Sequence, residues 1–88
     1  MTIDLKFVWR IRLQLRAEGN KLRAEGDKLR AEASFKAAIN VDPTFAAAQF
    51  SLGELYENDG KMVEAKKAYE AAAALDHSEA RGALKRMK

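Results

Sequence analysis

Apolar and polar residues alternate along the first part of the chain. Between positions 3 and 15 every odd-numbered residue is apolar, and Val8 is the one apolar residue at an even position. Alternation of this kind is typical of a strand. Wound into a helix, the same residues form two stripes on opposite sides, one through Phe7 and Ile11 and the other through Trp9 and Leu13. We favour a helix that runs into the next element. A strand paired with a second copy is the alternative, and either structure leaves apolar surface to be covered.

Three similar segments follow, LRAEGNK, LRAEGDK and LRAEAS, with leucines at positions 15, 22 and 29. A continuous helix would turn these leucines into a coiled-coil seam. The other interpretation is a break at Gly26-Asp27, with the glycine ending one helix and Asp27 capping the next. We favour the break, although a helix through Gly26 would cost only about 1 kcal/mol and would permit domain swapping. The near-identity of the segments also leaves a duplicated or engineered origin open.

The chain also repeats itself at an offset of 34 residues. Gly26 then corresponds to Gly60, which lies in the turn signal Asn58-Asp59-Gly60. A fixed period of this size indicates a repeat architecture in which each unit is a helical hairpin. The corresponding pairs are Gly19 and Gly53, Leu22 and Tyr56, Gly26 and Gly60, Ala31 and Ala65, Phe35 and Tyr69, Ala38 and Ala72, Val41 and Leu75, and Asp42 and Asp76.

Caps and turn residues divide the remaining chain into four further helices. The pattern predicts helices over about 27–41, 44–57 and 61–75. Pro43 suits a first helical turn with Asp42 as its cap. Ser78 is expected to cap a last, basic helix that reaches Lys88.

At these positions the chain resembles the tetratricopeptide repeat family. The resemblance covers about residues 12–77 and implies repeat units at 12–45 and 46–79. Residues 1–11 would then be an N-terminal cap or oligomerisation segment, and residues 80–88 a basic capping helix. The sequence departs from the family pattern at four positions, Leu15 and Gln49 where an aromatic residue is usual, Glu18 in place of a leucine, and His77 in place of a proline.

The resemblance implies an all-α fold, a short superhelix (α-solenoid) of stacked antiparallel hairpins whose first helices line a concave groove. Such domains are scaffolds that bind a partner peptide or helix and carry no chemistry of their own. Some co-chaperone-type members grip a C-terminal carboxylate, and Arg16, Asn20, Arg81 and Lys85 match that clamp, with Ser51 where an amide is expected. A solvated basic face is the alternative. The groove residues implied are Arg16, Asn20, Gln49, Ser51, Glu54, Arg81 and Lys85.

A self-assembling module is the rival interpretation. In it the N-terminal apolar residues 3–15 and the leucine seam pair two or more copies as a homo-oligomer. The candidate residues for self-association are Phe7, Trp9, Ile11, Leu13, Leu15, Leu22 and Leu29.

Composition narrows the function classes. The 88 residues suffice for one domain, and without cysteine there is neither a disulfide nor a thiolate metal site. Residues 1–32 contain eight Lys and Arg and five Asp and Glu, and residues 33–79 contain four and eight. Residues 80–88 contain four basic residues and no acidic one. A net charge of +3 divided in this way is weak support for nucleic-acid binding, although Trp9 could stack a base.

The sequence offers no membrane span and no catalytic set. The longest apolar run, 71–75, is too short to cross a bilayer, and charged residues interrupt any secretory signal, so we expect a cytoplasmic protein. Binding of residues 1–16 to a membrane surface is conceivable, but their apolar stripes do not merge into one face. His77 has no nucleophile or acid placed beside it, and we expect no enzyme, cofactor or metal site.

Overall fold

The computed structural model describes residues 5–87, which form five helices. Helices α1 and α2 form one antiparallel hairpin and α3 and α4 a second, and α5 packs against α4. The expected all-α architecture of stacked helical hairpins is confirmed. The bounds are α1 Leu5–Ala24, α2 Lys28–Val41, α3 Ala46–Asn58, α4 Met62–Ala74 and α5 Ser78–Arg86.

The first helix is longer than its partner. It runs unbroken from residue 5, which confirms a helix rather than a strand over 5–15, whereas Ile3 and Lys88 lie outside the described residues. At about 1.5 Å per residue α1 spans roughly 30 Å and α2 roughly 21 Å. Arg12 pairs with Asp42, the residue that follows α2, at 2.6 Å. Residues 5–11 therefore extend past the end of α2, and we call this segment the overhang.

Helices α1 and α2 separate at Gly26-Asp27, where the sequence predicted a break. The amide N–H of Gly26 donates to the carbonyl of Arg23 at 3.0 Å, and that of Asp27 to the carbonyl of Leu22 at 2.9 Å. With Gly26 at φ +82°, these bonds form a Schellman motif that ends α1. The predicted break is confirmed. The leucine seam is wrong, because Leu22 is buried in α1 whereas Leu29 is 82% exposed on α2.

The same closure ends α3 and α4, whereas α2 ends at the extended residue Asp42. Lys61 N–H donates to the carbonyl of Tyr56 at 2.9 Å around Gly60, and His77 N–H donates to that of Ala72 at 3.1 Å around Asp76. Asp76 adopts φ +65°, a left-handed conformation that favours glycine. At the 34-residue offset Gly26 and Gly60 thus form equivalent turns, whereas Asp76 differs from its counterpart Asp42, which is extended at φ −143°.

Two predicted caps are wrong by one to three residues. Asp42 does not cap α3 directly; its Oδ1 accepts from Thr44 N–H at 3.0 Å and from Thr44 Oγ1 at 2.6 Å, so it organises a turn before the helix. Phe45 occupies the cap position without a side-chain bond. At α5 the acceptor is His77 Nδ1, at 3.3 Å from Ala80 N, whereas Ser78 is already the first helical residue.

A glycine and an aromatic ring hold each hairpin together. Phe35 of α2 and Tyr69 of α4 are fully buried, against Gly19 of α1 and Gly53 of α3 respectively. A Cβ atom on either glycine would lie 2.6 Å from the ring. The 34-residue offset is therefore a repeated physical contact, in which the missing side chain of one helix makes room for the ring of the next.

We expect Gly53→Ala to lower the free energy of unfolding by about 1–3 kcal/mol, because the added methyl group meets the buried Tyr69 ring. Helix propensity alone would make the substitution stabilising by about 1 kcal/mol, because alanine favours a helix more than glycine does. A lower free energy of unfolding would therefore show that the methyl group clashes with the ring. Gly82→Ala in α5 is the matched control, since nothing lies within 4 Å of its Cβ position. Urea denaturation should show the two substitutions moving stability in opposite directions, and two stabilised variants would contradict the packing described.

Candidate functional site

Side chains from the first helices of the two hairpins meet on one side of the stack. Arg16 Nε donates to Ser51 Oγ at 3.2 Å, and Arg23 Nη1 pairs with Glu54 Oε1 at 3.2 Å. The two arginines are seven residues apart on α1 and their partners three apart on α3, so each pair of residues shares a helical face. We call this surface the α1–α3 face and define it by Arg16, Asn20, Arg23, Ser51 and Glu54.

Asn20 lies between the two arginines and is half-buried. Its Oδ1 atom is shielded from solvent and accepts no hydrogen bond from the described residues. A buried acceptor left unpaired costs about 1–3 kcal/mol. The carboxamide is thus a half-buried polar group on this face whose oxygen has no partner among residues 5–87.

The charge of the α1–α3 face is unbalanced. Arg23 is held by Glu54, whereas Arg16 bonds the neutral, fully buried hydroxyl of Ser51. That bond uses only Nε, and a guanidinium carries four further N–H donors in a fixed plane. A carboxylate is the ligand group that such a fork binds best.

The structure does not bring all of the expected groove residues together. Gln49 lines a separate cavity with residues of α4, because positions two apart on a helix differ by about 200° and Ser51 points the other way. Gln49 and Ser51 therefore lie on different sides of α3, and a role for Gln49 in a groove stays a prediction. Arg81 is exposed and pairs with Asp76 at 2.6 Å. Lys85 is also exposed, and within residues 5–87 neither contacts the α1–α3 face through a hydrogen bond or ion pair.

The candidates for self-association divide between core and surface. Leu22 belongs to the core, and Leu15 packs against the cluster of Ala38, Phe45 and Ala48. Ile11 is half-buried. A second copy could reach Leu22 only if the hairpin opened. The exposed members are Phe7, Trp9 and Leu13 on α1 and Leu29 on α2.

Sequence reasoning missed the environment of Arg12. Its guanidinium lies over the Phe45 ring at 4.6 Å and over the Trp9 ring at 5.7 Å, and it pairs with Asp42. The Thr44 hydroxyl bond and then Arg12 lower the pKa of Asp42. This cluster fixes α1 to the α2–α3 connection at the base of the overhang. The sequence suggested Asp42 only as a cap, since its partner lies 30 residues away.

A second unexpected cluster fixes α5. Arg86 donates to both carboxylate oxygens of Glu57, at 2.6 and 3.0 Å, and the Tyr69 hydroxyl donates to Glu57 Oε1 at 2.7 Å. The bonds from Arg86 and Tyr69 hold the pKa of Glu57 below its usual range. Burial, reinforced by Glu57, raises the pKa of Tyr69. One carboxylate thus connects α3, α4 and α5.

Two features are absent from residues 5–87. No helix there has both the length and the apolar character that crossing a membrane requires. Over the same residues, no group of three or more His, Asp and Glu side chains is arranged to hold a metal ion.

Residues 46–78 match the model of the tetratricopeptide repeat family. The matched segment contains α3, α4 and the connection to α5. The comparison with curated proteins gave no match. Residues 46–78 are thus similar to a tetratricopeptide repeat, which agrees with the packing of α3 against α4.

We expect the stability of the protein to fall as the pH is lowered through the acid range, partly through Glu57. A carboxylate whose folded pKa is depressed stabilises the fold above its unfolded pKa of about 4.3 and loses that contribution as pH falls through the folded value. Glu57→Gln should remove this contribution, which is at most about 1 kcal/mol of the free energy of unfolding. Stability should then fall less steeply as the pH is lowered. Thermal unfolding between about pH 3 and 7 measures this slope, and an unchanged slope would contradict the role of Glu57.

Proposed function

We propose that the protein is a non-catalytic interaction module that binds a partner peptide on the α1–α3 face. Tetratricopeptide repeats generally mediate protein–protein interaction, and residues 46–78 match that family. The observation that carries the proposal is that two side chains with unused hydrogen-bonding capacity lie on one surface. Arg16 bonds only a neutral hydroxyl, and the Asn20 carboxamide oxygen has no partner among the described residues.

The first hairpin is, in this proposal, a second unit of the same type. Its Gly19–Phe35 contact reproduces the Gly53–Tyr69 contact, and its terminal turn reproduces the Gly60 turn. The units then span residues 12–45 and 46–79, with 80–88 as a capping helix. Two units supply two first helices side by side, which is the least that a groove between first helices requires.

The ligand group proposed for this surface is a carboxylate, above all a peptide C-terminus. Arg16 supplies paired N–H donors, and the Asn20 amide can bond the adjacent peptide backbone. Ser51 acts by accepting from Arg16 Nε and thereby orienting the guanidinium. Arg81 and Lys85, exposed on α5, would contact the far end of a longer peptide. No step of bond making or breaking is involved, and the Nδ1 atom of His77 is already used as a helix cap.

Arg16→Ala is expected to weaken peptide binding by about tenfold or more, because charge-assisted hydrogen bonds contribute about 1.5–3 kcal/mol. The probe is a peptide selected by the wild-type protein from a randomised pool with free C-terminal carboxylates. Calorimetry then compares wild type, Arg16→Ala and Arg30→Ala. Arg30 is the matched control, since it is an exposed arginine whose ion pair within residues 5–87 is with Asp27, the cap of its own helix.

The same peptide with an amidated C-terminus tests the ligand group. Equal affinity of the acid and the amide would reject the carboxylate while leaving peptide binding intact. Equal loss in Arg16→Ala and Arg30→Ala would point to general electrostatic attraction instead. Failure to select any peptide would reject groove binding itself.

Self-assembly is the second candidate function, and the exposure of Phe7, Trp9 and Leu13 favours it. If these residues pair two copies, light scattering after size exclusion should give a mass that rises with concentration above the 9.8 kDa of one chain. Phe7→Ser with Trp9→Ser should then restore the monomer. A constant mass of one chain at all concentrations would reject this candidate.

A further inference from the structure

The overhang exposes three large apolar side chains. Leu5 is 79%, Phe7 62% and Trp9 55% exposed. Helix α3 begins at Ala46, which corresponds to residue 12 at the 34-residue offset, so residues 5–11 have no counterpart on α3. A segment that bound there would meet α1 on one side and no second helix on the other.

The exposed apolar residues are not spread evenly around α1. Leu5, Trp9 and Leu13 follow one another at intervals of four residues, so each is rotated only about 40° from the last. Phe7 is two residues from Leu5 and from Trp9, and it therefore lies about 200° away, on the opposite flank. Leu5, Trp9 and Leu13 form one continuous stripe, and a shallow cavity lined by Leu5, Lys6, Trp9 and Arg10 lies along it.

The charges beside this stripe have one sign. Residues 5–17 contain four cationic side chains and no acidic one. Lys6 and Arg10 lie along one edge of the stripe, one residue after Leu5 and Trp9 respectively. Arg12, on the other edge, is paired with Asp42 and supports the Trp9 ring. The four cations are Lys6, Arg10, Arg12 and Arg16.

We propose that this stripe docks the protein onto a membrane surface rich in anionic lipid. Leu5, Trp9 and Leu13 would enter the headgroup region, where an indole is favoured, and Lys6 and Arg10 would reach the lipid phosphates. Long cationic side chains can cover apolar surface with their stems while the charge stays in water. A planar surface needs only one side of a helix, which is what the overhang offers.

Charge and shape disfavour the other occupants. Two overhangs that paired face to face would bring Lys6 and Arg10 of one copy close to the same two cations of the other, and residues 5–11 contain no acidic side chain to separate them. A peptide held as on the α1–α3 face would need the opposing helix that the overhang lacks. An anionic lipid surface matches both the apolar stripe and the cations at its edges.

Co-sedimentation with vesicles tests the proposal on the full chain. Wild-type protein should sediment with phosphatidylcholine vesicles that contain about one quarter phosphatidylserine, and not with phosphatidylcholine alone. Raising the salt from about 0.1 M to about 0.5 M should reduce the bound fraction severalfold, because the attraction is screened. Absence of sedimentation, or equal binding to neutral vesicles, would overturn the proposal.

The stripe itself is tested by two substitutions of similarly exposed aromatic residues. Trp9→Ser should reduce partitioning by about tenfold or more, whereas Phe7→Ser on the opposite flank should change it by less than about threefold. Arg10→Gln should lower partitioning onto the vesicles about fivefold, because one cation near the surface is lost. Circular dichroism checks that each variant remains helical. Equal losses in Trp9→Ser and Phe7→Ser would overturn the proposal, as would a Trp9-dependent self-association in light scattering without vesicle binding.

Discussion

The structure depends on the contact between a glycine of one helix and an aromatic ring of the next. Because Gly19 and Gly53 lack side chains, the rings of Phe35 and Tyr69 lie directly against the backbones of α1 and α3. This close approach fixes both the spacing and the register of each hairpin, and alanines such as Ala31 and Ala65 become fully buried beside it. Met87 occupies the third position of the 34-residue series, where its own side chain packs on the cluster around Tyr69. Where α1 and α3 carry a glycine, the residue that caps α5 therefore carries a methionine side chain, which covers the end of the stack.

The features that sequence predicted well are those that local chemistry determines. A glycine in the left-handed region ends a helix wherever it stands, so Gly26 and Gly60 located the turns, and the offset between them located the hairpins. The caps were less predictable, since Asp42 and Ser78 are good capping residues that the structure uses one turn early or passes over for His77. Gln49 lies apart from Ser51 for a geometric reason. It was assigned to the groove from a resemblance along the sequence, although two residues of helical rotation direct it away from Ser51.

The contacts that sequence could not predict join residues far apart in the chain. Glu57 binds Arg86 from 29 residues away, and Arg12 binds Asp42 from 30 residues away. Neither pair forms a motif, because each partner has many equally charged competitors and only the fold selects among them. Both clusters lie where a helix would otherwise be held weakly, at the last helix and at the base of the overhang. They complement the hydrophobic contacts, which are concentrated in the two hairpins.

Helix α1 carries two chemistries along one face, and its neighbours determine where one gives way to the other. The face begins with the apolar side chains of Leu5, Trp9 and Leu13 and continues, at the same rotation, into Arg16 and Asn20. The second part lies opposite α3, which supplies Ser51 and Glu54 and makes a two-sided surface suited to a peptide. Leu5 and Trp9 lie beyond the start of α3, where only a one-sided contact is available, and Leu13 follows just inside that limit. Arg12 lies at the boundary, where it pairs with Asp42 and packs over Phe45, and it thereby anchors the overhang to the part of α1 that forms the α1–α3 face. A surface that bound the overhang would therefore also set the orientation of the α1–α3 face, because a single unbroken helix connects the two.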